Sequence, residues 1–415
     1  MQNFNRRQFL QYAGAAVAMG VLPPPVRAQV APRVVVVGGG MAGSTVARYL
    51  RLWGGNIDVT LVDESTSHIA CILSNLVING TFGLDKITFK HSTLASNHGV
   101  KFLQGKVTGI DAAGKKVLLS NGTRLSYDRV VVAPGIEFDA VPGWNPGKVP
   151  HAWQAGPQTT LLKNQLSAMP AGGTFVMTIP PAPYRCPPGP YERACVVADY
   201  LKRKKPGSRV IVLDANPKIT AEPDSFGYAF NTLYAGMLTY YPNAVLNSVD
   251  SNNRKAMTSI GTFQGNVLNV IARQKAGNIA FASGLVNDAT GRWAGIKPLS
   301  YESTAVPGVH VIGDSQATGQ PKSGHMGNAQ AKVCADAIIR AFAGESPDPA
   351  PVTASACYSP ITNKTASWLS VVFAYDPASN AMKAVEPAHE SEKISGENYS
   401  KMFDWSEKLF ADTFK

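Results

Sequence analysis

The sequence predicts an α/β protein with two dinucleotide-binding domains and a smaller C-terminal α+β domain. Two β-α-β units, over residues 33–63 and 174–214, indicate this fold, because each combines an apolar strand, a turn, a helix and a strand that ends in an acid. A third apolar strand delivers Asp314 at its C-terminal end. The length of 415 residues allows two or three domains with ample core.

The first unit carries a glycine-rich turn directly after a short strand. Residues 34–37 are apolar and β-branched, as expected of a strand buried on both faces of a parallel sheet. Glycines then allow a tight turn, close approach of a pyrophosphate and close packing of a helix whose amides point at the phosphates. The acid that ends the second strand can bind an adenosine ribose. The alternative is an α/β unit that binds no ligand. The predicted dinucleotide contacts are Gly38, Gly40, Met41, Ala42, Gly43 and Asp63.

Two later segments complete a pattern typical of flavoproteins with two dinucleotide domains. Residues 127–135 form an apolar strand closed by a small residue and glycine, and residues 310–314 form a strand that offers an acid to the ribityl chain or pyrophosphate of FAD. A helix predicted over residues 326–342 directs its positive end at the flavin pyrimidine ring. Three signatures in this order favour FAD over NAD and predict a glutathione-reductase-like flavoprotein. The predicted contacts here are Ala133, Gly135, Gly313, Asp314, Ser323 and Gly324.

The turn of the second β-α-β unit does not suit NAD(P)H. Its strand, helix and strand are predicted over residues 174–179, 191–204 and 209–213. Where a glycine motif is expected, residues 180–190 contain six prolines, which lack amide donors, and side chains that keep a pyrophosphate from the backbone. We therefore expect this nucleotide site to be lost. The loop presents Cys186, Glu192 and Arg193 instead, and is a candidate for another function.

Cys71 is a single thiol near the predicted flavin. Flavoprotein disulfide reductases carry a CxxxxC pair at this location, but Leu76 replaces the second cysteine here. Cys71 is thus able to attach to the flavin and unable to form that local disulfide. The alternative is a buried, inert thiol.

The other four cysteines divide by their surroundings. Cys195 and Cys334 lie in apolar helical patterns, which predicts core packing, whereas Cys186 and Cys357 lie on proline-flanked loops. Spacing alone cannot pair them. The sequence has no C-x-x-C-H, H-E-x-x-H or paired C-x-x-C motif, so we expect neither a c-type haem in this chain nor a metal site.

Residues 1–28 are predicted to be an export signal outside the fold. Arg6 and Arg7 precede a weakly apolar stretch over residues 12–22, which is too short to span a membrane, and residues 26–28 suit cleavage. The paired arginines resemble a twin-arginine signal, although Asn5 stands where Ser or Thr is usual. Such signals carry folded proteins, so the mature chain is expected in a bacterial periplasm.

The charge pattern excludes two classes of partner. The net charge of +11, from 39 basic and 28 acidic residues, is spread along the chain without blocks, so we expect no nucleic-acid binding. Over residues 376–415 acids outnumber bases by eight to five, which suits anionic lipid poorly. We therefore expect this tail not to bind anionic lipid, and we predict no membrane span.

Four segments, HIACILSN, YRCPPGPYERAC, PKSGHMGNAQAK and SACYSP, together resemble the flavoprotein subunit of flavocytochrome c sulfide dehydrogenase. The resemblance covers the chain from about residue 33 onward, although residues 225–265 diverge. It implies FAD bound covalently, through a thioether from Cys71 to the flavin 8α-methyl group. It also implies a redox disulfide between Cys186 and Cys357 with Glu192 beside it. The electron acceptor would be a c-type cytochrome subunit, which alone carries haem c, in a heterodimer.

The resemblance implies oxidation of sulfide to zero-valent sulfur or polysulfide, with hydrosulfide attacking the disulfide. Two other functions stay open: a sulfide:quinone oxidoreductase, and a noncatalytic flavin protein for electron transfer or assembly. The predicted domains are a split FAD domain, an inserted NAD-like domain with a degenerate site, and a C-terminal domain that covers the flavin or docks a partner. Their boundaries are 29–147 and 280–346, 148–279, and 347–415.

Overall fold

The predicted α/β architecture is present in the computed structural model, which describes residues 31–415. The export signal predicted over residues 1–28 lies outside the described residues. From Pro32 to Lys415 the chain forms one unit by its internal contacts. It contains two parallel sheets and a C-terminal antiparallel sheet. The domain boundaries within this unit stay predictions.

The first domain is built around β1. Its elements in chain order are β1 (Arg33–Val37), α1 (Met41–Trp53), β2 (Asp58–Asp63), β3 (Ser67–Ile69), α2 (Ser74–Ile78), β4 (Thr88–Lys90), α3 (Ser92–His98), β5 (Lys101–Gln104), β6 (Val107–Asp111), β7 (Lys116–Leu119), β8 (Arg124–Ser126), β9 (Arg129–Val132) and β10 (Ile136–Phe138). β1 pairs in parallel with β2 and β9, so its valines are buried as predicted. β7 and β8 form an antiparallel hairpin. β3 pairs with β4, also in antiparallel orientation.

The central domain repeats the parallel arrangement. Its elements are α4 (Pro157–Ala168), β11 (Thr174–Ile179), α5 (Gly189–Lys204), β12 (Arg209–Asp214), α6 (Pro223–Tyr228), β13 (Leu238–Tyr241), β14 (Leu246–Asp250), β15 (Lys255–Thr258), β16 (Gly261–Gln264), β17 (Val267–Val270) and β18 (Gln274–Ala276). Its four-stranded sheet has the order β13-β12-β11-β17. Helix α5 begins two residues before the prediction, because a proline suits the first turn of a helix.

The chain then returns to the first sheet. The returning elements are α7 (Asn278–Ala282), β19 (Val309–Val311) and α8 (Gly324–Ala343). β19 pairs in parallel with β9 and completes a five-stranded sheet of order β19-β9-β1-β2-β5. The turns after β1, β9 and β19 therefore lie side by side at one edge of the sheet.

An antiparallel sheet and one long helix form the C-terminal part. They are β20 (Val352–Pro360), β21 (Ala366–Asp376), β22 (Ala381–Ala384), β23 (His389–Glu390) and α9 (Gly396–Phe414). Cys357 was predicted on a loop, and this is wrong: it lies within β20 and pairs with Leu369. The alternating small and polar residues of β20 permit continuous pairing with β21, and the proline at residue 360 stands only at its end.

Helix α9 is fixed to the first domain by its last turns. Phe410 and Phe414 are buried against residues around β3 and β4. The Asp412 carboxylate accepts hydrogen bonds from Tyr49 (2.5 Å) and Asn328 (2.9 Å). These contacts hold the helix across α1 and α8.

Candidate flavin and cysteine site

A cavity of about 540 Å³ opens where the turns after β1, β9 and β19 meet. Its walls come from the turns of the first domain, from the loop that leads into α5 in the central domain and from β20. The predicted site residues that line it are Gly38, Gly40, Met41, Ala42, Asp63, Cys71, Ala133, Gly135, Cys186, Glu192, Gly313, Asp314, Ser323, Gly324 and Cys357. The structure thus brings together predicted residues from six separate segments of the chain: 38–63, 71, 133–135, 186–192, 313–324 and 357.

Gly43 does not line the cavity but is required beneath it. A Cβ atom at Gly43 would lie 1.8 Å from the carbonyl oxygen of Gly38, so only glycine lets α1 pack so closely on the turn. Gly38 itself has φ +97°, and a Cβ there would lie 2.5 Å from the carbonyl oxygen of Ala133. The turn therefore leaves bare backbone facing the cavity, as an incoming pyrophosphate needs.

Asp63 closes the first half of the site at the end of β2. One carboxylate oxygen accepts from the amide of Gly39 (2.6 Å) and the other from the amide of Ser65 (2.8 Å). These bonds fix the carboxylate beside the glycine turn, at the place where an acid binds a ribose in dinucleotide folds. Its remaining lone pairs face the cavity that it lines.

The N-terminus of α8 faces the cavity through Ser323 and Gly324. The Ser323 hydroxyl caps the helix by accepting from the amide of Met326 (3.1 Å) and also contacts the Ser355 hydroxyl of β20 (3.1 Å). A 20-residue helix directs positive potential out of this end. The fold thus offers two helix N-termini, of α1 and α8, and a glycine turn, and this set fits FAD.

Asp314 lies opposite a cation that the sequence analysis missed. Arg185 approaches it with a nitrogen–oxygen distance of 3.7 Å. Burial raises the pKa of Asp314, and Arg185 and Lys322 oppose that rise. Arg185 directly precedes Cys186 in the altered turn, and this position in the loop was the available signal.

Lys322 ties the flavin turn to the cysteine loop and was also missed. Its ammonium donates to the carbonyl oxygens of Asp314 (2.9 Å) and Gln316 (2.7 Å) and lies 3.6 Å from the centre of the Trp293 ring. Its own carbonyl oxygen accepts from the amide of Cys186 (2.6 Å). Burial lowers the pKa of Lys322 to about 8.

Cys71 is half-buried in the cavity wall, between β3 and α2. Its sulfur lies 3.7 Å from the carbonyl oxygen of Trp153. The position agrees with a thiol that faces the flavin, and a covalent attachment there stays a prediction.

Cys186 and Cys357 line the same cavity from opposite domains. Cys186 has φ +57°, which is uncommon for a residue with a Cβ, and a Cβ at Gly189 would lie 2.7 Å from its sulfur. Burial raises the pKa of both thiols, that of Cys357 to about 12, with Glu192 adding to the effect. All five cysteines are free thiols, so the bond between Cys186 and Cys357 stays a prediction. Cys195 and Cys334 are fully buried in the core, as predicted.

Asn75 joins Glu192 to Arg193 beneath the cysteines. Its amide nitrogen donates to the Glu192 carboxylate (2.9 Å), and its oxygen accepts from the Arg193 guanidinium (2.9 Å). Arg193 also donates to two backbone carbonyls and stacks 4.8 Å from the Trp153 ring centre. Burial raises the pKa of Glu192 to about 7, although Asn75 and Arg193 oppose the rise. A carboxyl with this pKa can both give and take a proton at neutral pH.

The second dinucleotide site is filled by the protein itself. Asp214, at the end of β12, is fully buried and accepts from the hydroxyls of Tyr191 (2.7 Å) and Tyr240 (2.8 Å). The acid that would bind an NAD ribose is therefore occupied. This packing supports the prediction that NAD(P)H does not bind here.

An aromatic rim is formed by α8 together with the C-terminal part. His325, Tyr358 and Trp405 line the cavity. The Trp405 indole donates to the His325 ring (3.3 Å), and the Tyr358 and Trp405 rings lie 5.5 Å apart. Tyr358 and Trp405 thus bring residues 347–415 to the cavity, and a role of this domain in covering the flavin stays a prediction.

Residues 31–415 contain neither a membrane-spanning helix nor a cluster of side chains suited to a metal ion. No helix there is long and apolar enough to cross a membrane. No cluster of three or more His, Cys, Asp or Glu side chains there has the arrangement of a metal site.

Comparison with known proteins identifies the class. Residues 32–159 match the pyridine nucleotide-disulphide oxidoreductase family, and residues 159–272 match the central domain of the sulfide dehydrogenase (flavocytochrome c) flavoprotein chain. The chain resembles the structure of sulfide:quinone oxidoreductase from Aquifex aeolicus with a TM-score of 0.75, over 92% of each chain and at 16% identity, which shows the shared fold. These findings confirm the predicted fold, and they support a flavin-dependent oxidoreductase of the pyridine nucleotide-disulphide type.

Within that class, the chain is similar to the flavoprotein chain of flavocytochrome c sulfide dehydrogenase. It is 51% identical over 45 residues to that protein from Chlorobaculum thiosulfatiphilum, a match that covers 11% of this chain and 94% of that sequence. It is also 35% identical over 107 residues to ferroptosis suppressor protein 1 of Taeniopygia guttata, over 25% of this chain. The latter match spans about a quarter, 26%, of that relative's length.

Proposed function

We propose that this protein oxidises sulfide at Cys186 and Cys357 beside a bound FAD and passes the electrons to a c-type cytochrome subunit. The observation that carries the proposal is the meeting of both cysteines and Glu192 in the cavity of the glycine turns. The central-domain match supports the same substrate class.

FAD, when bound, accepts an electron pair and releases electrons singly, as a haem acceptor requires. The glycine turn after β1, Asp63, Asp314 and the start of α8 would hold it. Cys71 lines the same cavity and is the proposed thioether attachment, through the flavin 8α-methyl group.

The cysteine pair performs the sulfur chemistry. Hydrosulfide attacks one sulfur of the Cys186–Cys357 disulfide; a new sulfur–sulfur bond forms as the old one breaks, leaving a persulfide on one cysteine and a thiolate on the other. The hydrosulfide proton stays on the persulfide and then passes to the Glu192 carboxylate. A second hydrosulfide then attacks the outer sulfur of the persulfide and removes it as a polysulfide that contains the zero-valent sulfur, which leaves both cysteines as thiolates. The two thiolates re-form the disulfide as their electron pair is given up, and bound FAD would accept that pair.

Export by a twin-arginine-type signal would place this reaction in the periplasm, where a cytochrome subunit would form the heterodimer. The alternative, a sulfide:quinone oxidoreductase, needs a surface that binds a membrane. Helix α9 is a poor candidate for that surface, because Phe410 and Phe414 are buried against the protein.

The test is sulfide-dependent reduction of cytochrome c by Cys186→Ser and Cys357→Ser variants. Each should retain the flavin and the fold but lose turnover by roughly two orders of magnitude or more, because neither can form the electrophilic disulfide. Cys195→Ala is the matched control and should retain turnover, because this thiol is enclosed in the core.

Near-normal turnover in either serine variant would show that the Cys186–Cys357 disulfide has a structural role and no catalytic role. Failure of sulfide to bleach the flavin of the wild-type protein would instead favour the noncatalytic flavin protein.

A further inference from the structure

A second buried carboxyl, Glu222, lies against the strand that carries Cys357. Glu222 is fully buried, and its two oxygens accept hydrogen bonds from the hydroxyls of Ser359 (2.7 Å) and Ser367. The two serines face each other across β20 and β21. A buried acid is costly unless its surroundings satisfy it, and here neutral hydroxyls do so.

Cys357 and Ser359 are two residues apart on β20, so their side chains point to the same face of the sheet. The Glu222 carboxyl therefore lies about one two-residue step, roughly 7 Å, along the strand from the thiol. Among the charged groups that raise the pKa of Cys357, Glu222 acts more strongly than Glu192. Two buried acids, Glu222 and Glu192, thus act on the Cys357 thiol.

The backbone at Glu222 is held in an uncommon conformation. Its φ of +49° and ψ of +51° lie in the left-handed region, which residues with a Cβ rarely adopt. Conformations of this kind persist where the surrounding structure fixes them, often at functional sites. The acid is therefore placed against β20 by the fold.

The ionisable groups around Glu222 are acids and thiols. Glu192 on α5 and Glu390 on β23 act on its carboxyl, and the Cys195 and Cys357 thiols respond to its charge. Burial raises the pKa of Glu222 to about 8, although the serine hydroxyls oppose the rise.

We propose that Glu222 is a positioning residue that controls the ionisation of Cys357: its carboxylate keeps the thiol protonated, and its neutral form permits the thiolate. The inference rests on the proposed function, in which the thiolate is the reactive form after disulfide cleavage. Only protons exchange, between the two groups and solvent, and no electron moves in this control.

The test measures alkylation of Cys357 by iodoacetamide in full-length, flavin-containing protein with the Cys186→Ser substitution, which prevents the disulfide. At pH 9, Glu222→Gln should raise the thiolate fraction about tenfold, because removal of a nearby like charge lowers the thiol pKa by about 1. The intrinsic reactivity of the thiolate falls with its pKa, so the net rate rises about three- to fourfold. Mass spectrometry of the Cys357 peptide gives this rate.

Two matched variants separate charge from structure. Glu222→Asp keeps the charge and should alkylate at the wild-type rate, and so should Glu392→Gln, which removes an exposed carboxylate. Ser367→Ala removes a hydroxyl donor from the carboxylate, favours neutral Glu222, and should raise the rate in the same direction as Glu222→Gln.

An unchanged rate in both Glu222→Gln and Ser367→Ala overturns the proposal. In the background that retains Cys186, Glu222→Gln should change sulfide turnover little at pH 7, where Glu222 is mostly neutral, and raise it at pH 9, where Glu222 is mostly ionised. An unchanged ratio of turnover between these two pH values also counts against the proposal. Alkylation needs no sulfide, so a wild-type protein that fails to oxidise sulfide refutes the proposed function without altering the Cys357 result.

Discussion

Replacement of Asn75 should move the pH dependence of catalysis without touching a reacting group. Asn75→Ala deletes the amide that donates to the Glu192 carboxylate at 2.9 Å. That hydrogen bond favours the ionised form of Glu192, so its loss raises the pKa of the acid. The affected quantity is the ionised fraction of Glu192 at a given pH.

The magnitude follows from the hydrogen bond that is lost. A bond to a charged group contributes about 1.5–3 kcal/mol, and about 1.4 kcal/mol changes a proton equilibrium tenfold. The pKa of Glu192, about 7 in the structure, should therefore rise by about 1 to 2. At pH 7 its ionised fraction falls from about one half to between roughly one in ten and one in a hundred.

The assay is kcat/KM for sulfide between pH 6 and 9.5. The acidic limb should move to higher pH, with turnover about 5- to 50-fold lower at pH 7 and recovering near pH 9. Asn75→Asp should shift the limb in the same direction while keeping an acceptor for Arg193, and Asn79→Ala, one helical turn later, is the matched control. A limb that stays in place in both Asn75 variants would refute the role of Glu192 as the proton acceptor.

Three further predictions follow from the site and the core. After acid precipitation, FAD should remain on the wild-type chain and should be lost from the Cys71→Ser variant. A mass spectrum of the wild-type chain without the added mass of FAD contradicts the attachment. NADH and NADPH should leave the flavin oxidised in anaerobic stopped-flow mixing, since Asp214 is occupied by tyrosine hydroxyls, and rapid bleaching by either would disprove this. Burial lowers the pKa of His151 and His310 to about 4, so the unfolded chain takes up their protons first as pH falls below about 6.5. Stability should then drop by about 1.4 kcal/mol per pH unit per histidine between pH 6.5 and 4. Urea unfolding should show His310→Gln flattening this slope and the exposed His389→Gln leaving it unchanged.

The sequence sufficed for the parts of the site that depend on local backbone chemistry. The glycine turn, the acids that end β2 and β19, and the proline-filled loop have short-range causes, namely missing Cβ atoms, strand ends and missing amides. All of these were predicted in the right place. The cysteine groups were also separated correctly, because Cys195 and Cys334 follow helical apolar periodicity.

What escaped prediction depends on contacts between distant segments. Asn75 is one polar residue of a short helix. Its effect on the pKa of Glu192 depends on a hydrogen bond to that residue of α5, which lies 117 positions later in the chain. Glu222 lies outside the four segments that carry the family resemblance, and its two hydrogen-bond donors are serines on another sheet. Cys357 was placed on a loop because prolines flank its segment, whereas the pairing partner that makes it a strand comes later in the chain. Pairing across such separations has no local signal.

Because β19 pairs with β9, the two parallel sheets can be completed only in a fixed order during synthesis. The first sheet stays incomplete until residue 311 has been synthesised, whereas the central sheet is continuous in the chain and complete by residue 270. Contacts of such long sequence separation form late and slowly. The cavity also needs β20 for its wall. A nascent chain therefore lacks a complete flavin pocket until nearly all of its residues have been synthesised. Cofactor capture therefore belongs to the end of folding, and a nascent chain halted before β19 would hold a folded central domain beside an open, flavin-free sheet edge.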